Sequence, residues 1–327
     1  MPILSRVTIA LLLPVVVLLT LALTDGSVEP PPPADSAALT WRLLHRHEGQ
    51  PRGPNGLGVV LTTVSREGSR IHASAPGRSF RSDDGGASWT EVEELKNAWD
   101  IARGAAGLML VGRDGGRISR STDGGESWTD IPTGGEGRLS VAVSGRNAFA
   151  AGKYAVLRST DAGETWTRVA APRVYYGGVA ARGPMVLVVG SAGLVVRSPD
   201  GGETWHHQWL PTRATLHTVA FADERTAVIA TSDGTLLRST DAGVSWTEVE
   251  SPALARLIGI AFDPDGHGLA VGFWGEVVRS TDRGASWQRE RSPTHLHLLD
   301  VRADPTGGFL VVGFRETILS ATTEGRR

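Results

Sequence analysis

An eight-residue pattern, Ser-x-Asp-x-Gly-x-x-Trp, stands six times in this chain, and its spacing limits the possible folds more than any other feature. The copies begin at Ser82, Ser121, Ser159, Ser198, Ser239 and Ser280 and end at Trp89, Trp128, Trp166, Trp205, Trp246 and Trp287. Successive tryptophans are 39, 38, 39, 41 and 41 residues apart. A repeat of about 40 residues holding four short strands is the sequence mark of a β-propeller blade.

Each repeat reads the same way. In the third, "RLSVAVSG" is an innermost strand, "NAFAAGKY" a second and "AVLRST" a third; the pattern turns the corner into the outer strand "WTRVAAP". The equivalents of the second strand, "GLMLVG", "MVLVVG", "HGLAVG" and "GFLVVG", are nearly continuous apolar runs. Strands sandwiched between neighbouring blades, with both faces buried, read like that.

The ends of the chain set the blade count. After the sixth pattern come three strands and a decayed copy from Ser320 to Gly325, with no outer strand. At the other end "LTWRLLHR", residues 39–46, resembles the outer strands and has no inner strands before it. The expectation is an all-β, seven-bladed propeller over residues 39–325, built of four-stranded antiparallel blades, with the N-terminal strand completing the last blade. Such closure leaves no free sheet edge and gives the ring no need of a partner copy, so a monomer is expected.

Turn physics accounts for the pattern. An Asp side chain accepts hydrogen bonds from backbone N–H groups a few residues on, and Gly supplies positive φ where the chain reverses. Asp84, Asp123, Asp161, Asp200, Asp241 and Asp282 are therefore read as turn-forming, because every repeat has one. The arginines that precede the copies, Arg81, Arg120, Arg158, Arg197, Arg238 and Arg279, recur as well and are read as structural. Function belongs where the repeats differ.

The N-terminus points to export. Residues 1–24 place Arg6 before an apolar run from Val7 to Leu23, the layout of a secretory signal. That run of 17 residues is at the lower edge of what spans a bilayer, and no Ala-x-Ala precedes Asp25, so an uncleaved anchor over residues 7–23 competes with a cleaved peptide. Residues 25–38 form a Pro-rich linker. The expected location is periplasmic or extracellular, with membrane contact only through the anchor. A formal net charge of -2 gives no bulk attraction to nucleic acid, and the absence of cysteine excludes disulfides, thiolate metal sites and cysteine nucleophiles.

Connections from outer to inner strands, and hairpins between second and third strands, gather on the face opposite the repeated turns. The variable residues there are Trp99, Arg138, Tyr175, Tyr176, His217, Arg256, His295 and His297 on the connections, and Arg113, Lys153, Tyr154, Phe273, Trp274 and Arg315 on the hairpins, with Arg173 and Arg213 further out. Aromatic and Arg enrichment on a concave rim is what partner recognition uses. Phe273 and Trp274 stand out, since two large aromatics at a hairpin tip have no turn-forming reason to be there.

Catalytic signals are weak. Asp100 and Asp300 share one register on the second and seventh blades and offer a carboxylate pair for glycoside hydrolysis; the alternative is that each satisfies backbone N–H groups where a strand begins. His217, His295 and His297 lack a carboxylate partner and make a poor metal set. No cofactor motif, metal site, phosphate loop or nucleophile elbow is present, so no cofactor is expected.

The pattern Ser-x-Asp-x-Gly-x-x-Trp is identified as the Asp-box, or bacterial neuraminidase repeat, which marks a fold and not an activity. The even units, seven blades, signal and lack of long insertions resemble the photosystem II stability/assembly factor family and its relatives in non-photosynthetic bacteria. That resemblance implies an exported, non-enzymatic propeller that holds a protein or peptide partner, such as a membrane protein under assembly, through a basic patch on the ring. The patch would be sought among Arg138, Arg173, Arg213 and Arg256. Sialidases are a poorer match, because their Phe/Tyr-Arg-Ile-Pro motif is replaced here by "FRSD" at Phe80 and "FRET" at Phe314. A sialidase-like or xyloglucanase-like hydrolase using Asp100 and Asp300 is the alternative.

Overall fold

The continuous apolar runs form buried strands, as at Met185–Gly190, Gly268–Gly272 and Phe309–Gly313, each followed by a hairpin back into the same sheet. In the computed structural model, which describes residues 39–46, 59–305 and 307–323, they are the second strands of seven four-stranded antiparallel sheets arranged as the blades of a propeller. The expected leader over 1–24, the linker over 25–38 and the last two residues of the expected propeller lie outside the described residues.

Blades 1 to 6 follow chain order from innermost to outer strand. Blade 3, for example, runs Ser140–Ser144, Asn147–Gly152, Ala155–Ser159 and Thr167–Arg168. Blade 7 is composite: Leu39–His45 is its outer strand, paired antiparallel with Ile318–Thr323, Leu39 opposite Thr323 and Trp41 opposite Ala321. Packing ties both ends together, since Leu39 belongs to the buried cluster of Leu298, Val301, Phe309 and Leu319, with Trp41 against it. A second seam joins blades 7 and 1, where Leu61 N–H donates to the Gly313 carbonyl at 3.0 Å and Val60 bridges Phe314.

All six repeated turns use one hydrogen-bond scheme. In blade 2 the Ser121 hydroxyl donates to Asp123 Oδ1 at 2.6 Å and accepts from Gly125 N–H at 2.9 Å. Asp123 Oδ1 also accepts from Glu126 and Ser127 N–H, each at 3.0 Å, and Trp128 Nε1 donates to the Gly125 carbonyl at 3.1 Å. Hydroxyl donors hold these carboxyls low: Ser88 and then its own N–H bring Asp84 to about 2, and Thr204 does the same for Asp200. The residue after the aspartate adopts positive φ in all six copies, including non-glycine Ala162, Ala242 and Arg283 at 60°, 60° and 57°.

That carbonyl receives the preceding arginine of the neighbouring blade. Arg120 Nε donates to the Ala162 carbonyl at 2.9 Å, Arg197 to Ala242 at 2.7 Å and Arg238 to Arg283 at 3.0 Å. The turn is thus a clamp between blades as well as a corner within one.

Candidate partner-binding rim

The hairpins between second and third strands share one backbone solution, a tight turn with a residue in the left-handed region. Gly115 fills that position in blade 2 at φ 71° and Gly234 in blade 5 at φ 89°. Gly77 fills it in blade 1 at 78°, and in the other four blades it is held by Tyr154 at φ 59°, Ala192 at 56°, Trp274 at 60° and Arg315 at 56°. Left-handed backbone costs a residue with a Cβ roughly 1–2 kcal/mol, and strain of this kind collects at functional sites. Glycine would relieve it, yet three of these four positions carry side chains suited to recognition.

Trp274 is 59 % exposed. Around it, the His297 ring stacks on Phe273 at 4.4 Å and meets Trp274 and Phe314 edge-on at 4.6 and 4.9 Å. The Arg256 guanidinium lies 5.5 Å from the Phe273 ring centre, and its Nε donates to the Ser232 carbonyl at 3.0 Å. One strained, solvent-facing indole thus stands on a packed aromatic base with a fixed cation beside it.

A second patch spans blades 2 to 4. The Arg138 guanidinium sits 3.3 Å from the centre of the Trp99 ring, while Lys153 and Arg173 flank the Tyr154 ring at 5.4 and 5.7 Å. Tyr154 and Tyr175 are exposed, and Lys153 bridges Tyr175 through the backbone. Cations over aromatic faces are attracted by the ring quadrupole and are held in place for contact. Arg173, Arg213 and Arg315 are exposed further around the same face.

Several rim expectations need correction. Tyr176 is buried, only 2 % exposed, within the cluster of Phe149, Val179 and Val188, and its hydroxyl donates to the Pro172 carbonyl. Burial pushes that phenol up to about 12, so Tyr176 is a core residue, while Tyr175, its neighbour in the extended chain, faces the opposite way and out. Arg113 is consumed locally, donating to the carbonyls of Lys96 and Glu94 and to the Ser119 hydroxyl. His217 lines the axis, half-buried and apart from His297, with burial and then Arg256 lowering its pKa to about 4.

Innermost strands of all seven blades line an axial channel of about 700 Å³. Asp100 and Asp300 both face it, joined through a residue that sequence reasoning passed over. Arg302 Nε donates to Asp300 Oδ2 at 3.0 Å and another of its nitrogens to Asp100 Oδ1. Asp100 Oδ2 also accepts from the Ser140 hydroxyl at 2.6 Å and Val141 N–H at 2.9 Å, and Asp300 Oδ2 from Val64 N–H at 3.4 Å. Each carboxylate therefore ties its strand to the next blade. Burial raises the Asp300 pKa, and Arg302 opposes that rise.

Two further features escaped the sequence reading. Phe314 occupies the hairpin register of Phe273, which an alignment on hairpins would have shown. Asp263, Asp265 and His267 come together as the one group of three potential metal ligands among the described residues. Asp263 Oδ1 accepts from the N–H groups of Asp265 and His267, and His267 Nδ1 lies 2.9 Å from Asp263 Oδ2, so the group also closes its own turn.

No family model and no curated protein matches the sequence. Solved structures do. YCF48 from Cyanidioschyzon merolae is 16% identical with TM-score 0.67, covering 87% of this chain and 99% of that one. YCF48 bound to D1 peptide is 17% identical with TM-score 0.69, covering 90% and 99%. The GH74 xyloglucanase from Xanthomonas campestris is 18% identical with TM-score 0.65, covering 86% of this chain and 53% of that one. These likenesses show the fold.

Proposed function

We propose that this protein is an exported, non-enzymatic propeller that captures a protein or peptide partner on its rim, as an assembly or stability factor for an envelope membrane complex. The observation that carries the reading is Trp274, held exposed in left-handed backbone above Phe273, His297 and Phe314. Exposed aromatics with flanking arginines are the residue types that dominate binding energy at protein interfaces. The likeness to YCF48 bound to D1 peptide supports a peptide or protein as ligand. Export, and with it a periplasmic or extracellular site of action, rests on the leader over residues 1–24.

Likeness to a GH74 xyloglucanase favours a second reading, a glycan hydrolase using Asp100 and Asp300. We prefer capture because both carboxylates are engaged by Arg302 and by backbone N–H groups of the next blade. The test is crosslinked affinity capture from membranes of the host, with charge reversal at Arg213 and Arg256 plus Trp274→Ala as control bait. A specific envelope protein lost with the control supports capture. Unchanged capture would end it, and polysaccharide turnover abolished by Asp100→Asn would install the hydrolase.

A further inference from the structure

The left-handed Trp274 turn is held from outside at two points: Phe273 N–H donates to the Arg256 carbonyl at 3.0 Å, and the N–H of Trp274 itself donates to His297 Nδ1 at 2.9 Å. His297 comes from the connection into blade 7, and its own carbonyl accepts from Phe314 N–H at 3.0 Å, so the imidazole is fixed relative to both hairpins. A ring nitrogen that accepts carries no proton, which places the imidazole proton on Nε2. Stacking on Phe273 and edge contacts with Trp274 and Phe314 hold the ring in this orientation.

We infer that His297 is a positioning residue for the rim, whose neutral Nε2–H form holds Trp274 in its exposed conformation and whose protonation releases it. This rests on the partner-binding reading of Trp274. An imidazolium donates from both nitrogens, so Trp274 N–H would face a second donor, and the strained residue would lose its own anchor while Phe273 keeps its bond to the Arg256 carbonyl. Several charged or titratable groups surround the ring. Arg256 lies over Phe273, His295 is two residues before, Arg315 adjoins Phe314, and the Glu276–Arg289 ion pair follows the Trp274 turn, with Arg289 Nε 2.9 Å from Glu276 Oε1. Burial lowers the His297 pKa from its ordinary 6.5, so the neutral form prevails near neutrality and release belongs on the acid side of the ordinary histidine range. The site would then hold its partner near neutral pH and let go when the surroundings acidify.

The test is NMR of the full chain labelled with nitrogen-15, titrated from about pH 8 to about pH 4. Trp274→Phe assigns the tryptophan amide and His297→Asn assigns the imidazole. The expected result is an Nε2–H tautomer at the start and a Trp274 amide resonance that moves with the same midpoint as the His297 ring. In His297→Asn, where the side-chain oxygen can accept the same bond without titrating, the amide stays near its high-pH position throughout. An Nδ1–H tautomer, or a Trp274 amide that stays put while His297 titrates, overturns the inference, and the unsubstituted chain alone yields both. Neither outcome depends on a partner, so failure here leaves the capture experiment to judge the binding reading separately.

Discussion

Arg302, on the innermost strand of blade 7, joins Asp300 of its own strand to Asp100 of blade 2, across the channel wall formed by blade 1. Removing the cation leaves two carboxylates, both little exposed, facing each other without compensation. Arg302→Met is expected to lower unfolding free energy by about 2 kcal/mol, reduced from the fully buried case because the arginine is 35 % exposed. The triple variant with Asp100→Asn and Asp300→Asn should recover part of that loss in denaturant titration. Equal losses in the single and triple variants would show that the three do not act as a unit.

Ring closure depends on one seven-residue strand. Leu39–His45 supplies every outer-strand pair of blade 7, and Leu39 N–H additionally donates to Glu290 Oε1 of blade 6 at 2.9 Å. A chain lacking residues 39–46 exposes the Ile318–Thr323 edge and should unfold at a markedly lower temperature, with new tendency to associate through that edge. Calorimetry and light scattering read both. A truncated protein that melts with the full chain would contradict the closure.

Among the tryptophans of the repeated turns, Trp287 is the most buried, 6 % exposed and edge-on to Phe262 at 6.0 Å. Trp287→Ala should cost about 3–5 kcal/mol, and Trp128→Ala, at a half-buried site, less. Urea unfolding midpoints of the two variants give the comparison directly.

Acid should loosen the fold through a buried and a half-buried histidine, His72 and His217. Burial, followed by Arg103 for His72 and Arg256 for His217, lowers their pKa values to about 3 and about 4 from 6.5. Unfolding lets each take a proton near 6.5, so below that pH the unfolded chain binds more protons and stability declines. The contribution is complete above 6.5 and falls until about 4 for His217 and about 3 for His72. His217→Leu should flatten unfolding free energy against pH between about 6.5 and about 4 by an amount on the order of 3 kcal/mol. An unchanged slope would mean that His217 is charged in the fold.

Spacing of the six tryptophans, the apolar second strands and the unpaired outer strand at residues 39–46 were enough to state seven blades and their closure, because a repeat protein writes the same local solution many times over. Asp123 and its equivalents were legible for the same reason: an Asx-type turn is decided within eight residues. What varies once per ring is another matter. Arg302 is two residues from Asp300 in sequence but meets Asp100, which lies 202 positions away, only when the ring closes. Tyr175 and Tyr176 are indistinguishable as letters, and alternation along the extended chain sends one outward and one into the core, which of them being set by how the blade packs on its neighbour. Local hydrogen bonding and burial pattern were thus written in the chain itself; which side chains face one another around the axis and the rim was decided by closure, since those contacts exist only between blades.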